Sequence, residues 1–319
     1  MYKIELNLPV VGTVFLSIKD KQLFIFSKRQ LKNYIVNIFT DNTNVDFVTI
    51  DTSIDKKFKD IILGRQVKFK DNRFDFSINS KVQRIKYKYN FNANLTINIS
   101  FKKKIFYILK SLIKSNYSMN HILFYQTILY PIFSLYSLVD NYYLVHGSLI
   151  KMKDKHIVLT GLDGVGKSSL SNELALNNAK ILADNFVLFN GEKFIGISMP
   201  IRLDLDNETK ENIVFQDNNL KEILFEYNEF KAVKVDNIYF LSIGNEFILK
   251  EIDKNLALYN WSLINNGAGE ILDANLFNMP FIYQNIFEKS ILLNKNEKYF
   301  QLTIPKGKIK EALKEFTCQ

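Results

Sequence analysis

The stretch Gly161-Leu162-Asp163-Gly164-Val165-Gly166-Lys167-Ser168 constrains this chain more than any other, because it satisfies the whole G-x-x-x-x-G-K-[ST] pattern. Such a stretch works as a bend between a strand and a helix. Glycines let the backbone come close enough for successive N–H groups to surround a phosphate, and the lysine ammonium reaches the β- and γ-phosphates. The flanks suit that role. His156-Ile157-Val158-Leu159-Thr160 reads as a short buried strand, and Ser168 to Leu176 reads as a helix with leucines at 170 and 174. The helix N-terminus adds its partial positive charge beneath the phosphate. An ordinary glycine turn is the bland alternative, and the strand–loop–helix context speaks against it. The expectation is therefore a nucleoside triphosphate held by Gly161, Gly164, Val165, Gly166, Lys167, Ser168 and Ser169, with the Ser168 hydroxyl on a Mg²⁺ ion.

The rest of the composition narrows the class. A chain of 319 residues that is 47% hydrophobic and 24% charged is globular rather than disordered, with enough length for one large or two ordinary domains. Its one cysteine, Cys318, excludes an internal disulfide framework and fits a reducing, cytoplasmic setting. The opening Met1-Tyr2-Lys3-Ile4-Glu5-Leu6 lacks the basic-then-apolar layout of a signal peptide. Ile122 to Val139 is apolar, but Gln126, Thr127, Pro131, Ser134 and Ser137 suit a bent, packed helix better than a membrane span. The net charge of +9 would favour an anionic partner. That charge is spread over lysines along the whole chain with only five arginines and no nucleic-acid module, so no nucleic-acid partner is expected.

Along the chain, residues 1–100 carry short β-branched and aromatic runs separated by Asp, Asn and Lys. Thr13–Ile18, Leu23–Phe26, Val45–Ile50 and Leu95–Ile99 read as strands of a β-rich N-terminal region. Residues 101–319 read as the nucleotide-binding domain, opening with helices over 102–114 and 120–139. Later strands are expected at 180–184, 186–189, 195–198, 238–243 and 299–303, and a final helix at 308–316 after the Pro305-Lys306-Gly307 turn. Asp163 reads as a turn residue within the loop, and Trp261 and the phenylalanines as core.

Asp184 ends the strand after the loop helix, where a phosphate-binding-loop enzyme puts an acid that binds Mg²⁺ or accepts a proton from an attacking hydroxyl. A turn-capping aspartate is the alternative. His146, in Val145-His146-Gly147-Ser148, lies twenty-one residues before Lys167, and Asp184 lies seventeen after it. This His-Gly-Ser … G-x-x-G-x-G-K-S … Leu-x-Asp arrangement resembles the catalytic domain of HPr kinase/phosphorylase and its relatives over roughly residues 122 to 205. The resemblance implies an α/β core of mixed α+β character, related in fold to phosphoenolpyruvate carboxykinase and preceded here by the β-rich region. It implies ATP and Mg²⁺ as cofactors and transfer of the γ-phosphoryl group to a serine-type hydroxyl. Carried over by position, Lys167 neutralises the β/γ-phosphates, Ser168 holds the metal, Asp184 is general base, and His146 lies near the phosphates. The family often assembles into multimers, so a homo-oligomer is the expectation it carries.

The chain also departs from that family. Two acids are usual where this chain has Asp184-Asn185; Asn185 can offer a carbonyl oxygen to a metal but no charge. The bifunctional enzyme's downstream signature is missing, which argues against phosphorolysis of a phosphoserine protein. Ser198-Met199-Pro200-Ile201-Arg202-Leu203 resembles the Pro-x-x-Leu region of the relatives, and Arg202 is placed to clamp a phosphate or an acceptor carboxylate, with a structural arginine as the alternative. The leading reading is an ATP-dependent kinase acting on a hydroxyl of a peptide, protein or small molecule. A nucleotide-sensing module without transfer, a nucleic-acid-stimulated ATPase and a carboxykinase stay open as alternatives.

Overall fold

The computed structural model describes residues 2–10, 12–18, 21–40, 48–50, 73–79, 83–90, 95–103, 120–121, 124–129, 133, 142–210, 212–218, 220–225, 231–267 and 297–317. The chain divides into two compact units with the boundary at Asn141 and Tyr142. The sequence reading instead grouped 101–141 with the nucleotide-binding part.

The first unit contains β1 (Tyr2–Leu8), β2 (Gly12–Ile18), α1 (Lys21–Gln30), β3 (Ile35–Thr40) and β4 (Val48–Ile50). It continues with β5 (Arg73–Asn79), β6 (Gln83–Asn90) and β7 (Leu95–Lys103). Among the described residues these form a seven-stranded antiparallel sheet in the order β3-β1-β2-β4-β7-β6-β5. Ile4, Leu6 and Leu8 alternate inward on β1, as do Val14, Leu16 and Ile18 on β2, the period of two that a half-buried strand requires.

Leu23–Phe26, expected as a strand, lies instead inside α1. Every position of that short run is apolar, so alternation could not tell strand from helix. The wider window decides it: Leu23, Phe26, Ser27 and Gln30 are buried at helical spacing while Ile25 is left 45% exposed. Lys102 and Lys103, expected to open a helix, are the last residues of β7 and pair with Arg84 and Gln83; the rest of the 102–114 expectation lies outside the described residues. Of the expected helix at 120–139, Asn120, His121, Phe124 and Phe133 are helical and Tyr125–Leu129 forms a π-turn, with its other positions outside the described residues. No helix among the described residues is long and apolar enough to cross a membrane.

The second unit has a mixed α/β architecture. Its elements run β8 (Tyr143–Met152), β9 (Lys155–Thr160), α2 (Lys167–Leu176), β10 (Lys180–Ala183), β11 (Phe186–Phe189) and β12 (Phe194–Gly196). A small hairpin sheet follows, β13 (Ile201–Asp204), β14 (Asn212–Gln216) and β15 (Leu220–Leu224). Last come β16 (Asn237–Gly244), β17 (Ile248–Glu251), α3 (Lys254–Gly267), β18 (Lys298–Pro305) and α4 (Ile309–Thr317). Among the described residues eight strands join in the order β12-β11-β8-β9-β16-β18-β17, with β10 also pairing β8. β9, β16 and β18 are parallel, and their neighbours are antiparallel.

Strand parity sorts this sheet into two cores. Val158, Ile238, Phe240 and Tyr299 face the side covered by α3, which contributes Ala257, Trp261 and Ile264 at i, i+4 and i+7. Trp261 meets Phe189 and Phe194 edge-on, at centroid distances of 5.5 and 6.2 Å. Each such buried side chain stabilises the fold by about 1.5–3 kcal/mol. Ile157, Leu159, Tyr239, Leu241, Leu302 and Ile304 face the other side, against Leu170 and Leu174 of α2 and Leu313 of α4. Ile201, Leu203 and Ile223 of the hairpin sheet join that second core.

Candidate functional site

The parity of β8 aims the first part of the site. Ile150 belongs to the core beneath α2, so Ser148 and His146, two and four residues earlier, project to that same side. The neighbouring edge of β8 is shared: Leu149 to Lys151 pair with β10, and Tyr143 to His146 pair with β11. Asp184-Asn185 fills the step between those two strands. There the Asn185 carbonyl accepts the Gly147 N–H at 3.1 Å, and Asn185 takes a left-handed φ of 73°. Asparagine tolerates that conformation better than most residues, so position 185 meets a backbone demand.

The glycine loop supplies the second part. Gly161 lies so near the Leu241 carbonyl of β16 that a Cβ there would sit 2.7 Å from its oxygen. Gly166 caps α2 with a φ of 95°, a conformation costly to a side-chain-bearing residue. Lys167 is buried and folds back over the loop, its Nζ donating to the Gly161 and Leu162 carbonyls at 2.8 Å each. Burial lowers its pKa, opposed by the charges of Asp163 and Asp184.

These parts meet at Asp184, which is 2% exposed. Ser148 Oγ donates to its Oδ1, Ser168 Oγ donates to Oδ2 at 2.6 Å, and Ser171 Oγ lies 3.5 Å from Oδ1. Burial raises the carboxyl pKa; the Ser148 and Ser168 hydrogen bonds, Lys167 and Ser171 pull it back. A dry carboxylate with a raised pKa and both oxygens oriented has the chemistry to exchange a proton.

His146 occupies the loop's far flank. Its Nε2 is 3.3 Å from Asp163 Oδ1, and its ring lies 5.9 Å from that of Phe186. Burial, then the Lys167 ammonium, lowers its pKa to about 4 against the pull of Asp163. The imidazole is thus neutral near pH 7, so its approach to Asp163 is not a pair of opposite charges. Asp163 itself is 76% exposed by side chain.

His146, Lys167, Ser168 and Asp184 therefore converge, with Val165 and Ser169 at the adjoining turn and helix start. Arg202 lies on the exposed side of β13, across from Glu222 on β15. Sequence reasoning assigned no role to Ser148 or Ser171 and saw only a turn in Asp163. Two signals were present: Ser148 shares strand parity with His146, and Ser171 stands one helical turn beyond Ser168.

A second feature opens beside the loop. A cleft of about 490 Å³ lies at the carboxyl ends of the parallel strands, where open α/β sheets take their ligands. Gly164, Val165 and Gly166 form one wall, Pro305 to Glu311 another, and Asp204, Asp206 and Asn207 from the end of β13 a third.

Among the described residues, no group of three or more His, Cys, Asp or Glu could hold a metal by itself. Mg²⁺ makes no such demand, since one or two carboxylates plus substrate phosphates suffice. Asp184 and Ser168 present hard oxygen donors of that kind, and a hydroxyl that donates to a carboxylate keeps lone pairs for a cation. The donor set fits the ion.

No protein-family model matches this chain, and no curated protein matches it. Among solved structures it is similar to an HPr(Ser) kinase/phosphatase from Coxiella burnetii, with 9% identity over 55% of this chain and 96% of that one, at a TM-score of 0.25. A similarity so slight transfers neither fold nor activity to this chain.

Proposed function

We propose that the second unit is a phosphotransferase of the HPr-kinase-related type, which moves the γ-phosphoryl group of ATP to a hydroxyl of a peptide, protein or small molecule. The observation that carries this reading is Asp184, a dry carboxylate held by Ser148 and Ser168 directly beside the Lys167 loop. In this reading the backbone N–H groups of Gly164 to Ser169 hold the phosphates. Lys167 exchanges its loop carbonyls for the β/γ-phosphates and steadies the charge that spreads over the transferring group. The acceptor hydroxyl gives its proton to Asp184 as its oxygen bonds to the γ-phosphorus, and the bond to the β-phosphate oxygen breaks to release ADP. His146, neutral at working pH, orients polar groups near the phosphates without adding charge. Mg²⁺, held by Ser168 and Asp184 with Asn185 beside them, would neutralise phosphate charge when bound. Arg202 is assigned to the phosphate or acceptor side on the sequence resemblance alone. The chemistry fits a cytoplasmic protein, and a homo-oligomer would accord with the resemblance.

The test is transfer of label from γ-labelled ATP to a discrete acceptor in desalted lysate, with Mg²⁺. Lys167→Ala should abolish it. Labelling by Lys167→Ala at the wild-type level would overturn the proposal. Tight ATP binding without any transferred label would favour a nucleotide-sensing module, a reading that the uncharged Asn185 beside a single carboxylate supports.

A further inference from the structure

The helix α2 presents two different faces. Ser168 and Ser171, one turn apart, carry their hydroxyls to Asp184. Gly166, Ser169 and Glu173, spaced by three and four, open onto the 490 Å³ cleft instead. A nucleotide on the loop must therefore be oriented. Lys167 and Ser168 take the β- and γ-phosphates on the Asp184 side, so the chain of phosphates leads back past Gly166 and Ser169 toward the cleft.

The cleft is made for something other than phosphate alone. Its inner walls are apolar: Val165, Ile243, Ile304, Pro305 and Ile309. Ile243 is 51% exposed, an apolar side chain left uncovered at the end of β16. The rim is polar and of mixed charge, with Asp204, Asp206, Asn207 and Glu311 alongside Lys306, Lys308 and Lys310. Its volume lies within the range of about 300–1,000 Å³ typical of small-molecule sites. The floor is well fixed, because Ile309 and Leu313 of α4 pack into the same core as Leu170 and Leu174 of α2. A Cβ on Gly166 would lie 3.2 Å from Ile309, so the N-termini of both helices meet at this point. Two such termini favour negative charge at the entrance. The acceptor does not suit the cleft, since it must reach Asp184, and neither Asp184 nor His146 lines it.

We propose that this cleft is the nucleoside subsite: Ile243, Ile304 and Pro305 pack against the base, and Asp204, Asp206 or Asn207 takes the ribose hydroxyls. The proposal rests on the phosphate-binding reading of the loop. It assigns nucleoside recognition to residues about 40 to 140 positions beyond that loop in the chain.

Calorimetric titration of the full chain with ATP and with inorganic tripolyphosphate, both with Mg²⁺, tests it. Wild type should bind ATP at least about tenfold more tightly than tripolyphosphate, because only ATP can use apolar walls. Ile243→Asn should weaken ATP by about tenfold and leave tripolyphosphate within about twofold, and Ile243→Ser, a milder trim, should show the same split. Lys167→Ala should weaken both ligands. Equal wild-type affinities, or Ile243 variants that weaken both ligands alike or neither, would overturn the nucleoside subsite while leaving the phosphate reading intact. Failure of wild type to bind either ligand would remove the phosphate reading and the subsite with it. Thermal unfolding of each variant separates lost binding from lost folding.

Discussion

The two sides of α2 solve opposite problems with neighbouring residues. On one side Asp184 is sealed from water and gripped by short, rigid serine hydroxyls. On the other, lysines on long stems rim an open cleft and pair with exposed carboxylates, as in Lys308–Glu311 at 3.0 Å and Lys310–Glu208 at 3.4 Å. A group that must receive a proton at one fixed position profits from a dry, inflexible setting, where each hydrogen bond is strong and the pKa is adjustable. A site that admits and releases a ligand profits from solvated charges that rearrange at little cost. The same substitution chemistry should therefore have large, specific effects on the first side and small, salt-sensitive effects on the second.

The largest effect belongs to Asp184→Asn. It keeps the shape and removes the base, so transfer should fall by about 10²–10⁴-fold. ATP affinity measured without Mg²⁺ should stay within roughly threefold, about 0.6 kcal/mol. A variant that transfers at the wild-type rate would remove Asp184 from catalysis and erase the contrast.

His146 should reveal the dry side through acid sensitivity. Its folded-state pKa of about 4 lies below the unfolded value of 6.5. Between those values the unfolded chain binds the proton and the folded chain does not, so stability rises with pH through the window and is lost as pH falls through it. The full span corresponds to about 3 kcal/mol. The raised pKa of Asp184 acts in the opposite direction but is shared by wild type and variant. Denaturant unfolding of wild type and His146→Gln at several pH values isolates the histidine. The gap between them should close in favour of the variant from pH 6.5 down to 4; parallel curves would mean that the imidazole titrates normally.

Much of the Asp184 side was legible because its elements are local. β9, the loop and α2 occupy one run of sequence, and β10 with Asp184 follows at once. The histidine and aspartate were found through their spacing around Lys167, whereas the hydroxyl clamp was not, because serines are too common to mark themselves. The sheet order was illegible for a different reason: β16 pairs parallel to β9 from about 80 residues away and β18 to β16 from about 60, and nothing in a hydrophobic run names its partner. The cleft inherits that limit, since Val165 and Ile309 reach it from opposite ends of the unit. The misread helix α1 shows the converse, a short run whose local pattern fits two structures until burial chooses.

Ser148→Ala gives an intermediate effect. Removing one donor from a buried carboxylate should cost about 1–3 kcal/mol in unfolding free energy. The Ser148 hydrogen bond also holds the Asp184 pKa down, so its loss should move the acid limb of the transfer pH profile upward. Ser148→Thr, which keeps the hydroxyl, should restore the limb; a shift in stability alone would make Ser148 a packing residue.

Glu311→Gln on the cleft rim should give the smallest change. The Lys308–Glu311 pair is an exposed i,i+3 contact, and such pairs contribute less than about 0.5 kcal/mol. Unfolding should therefore be unchanged within that margin. Removing a negative charge from the cleft should instead tighten tripolyphosphate about twofold at low salt, and the gain should vanish when added salt brings the Debye length down to about 3 Å at 1 M. A loss of stability as large as that of Ser148→Ala would show that the rim is built like the dry side, and the distinction between the two faces of α2 would fail.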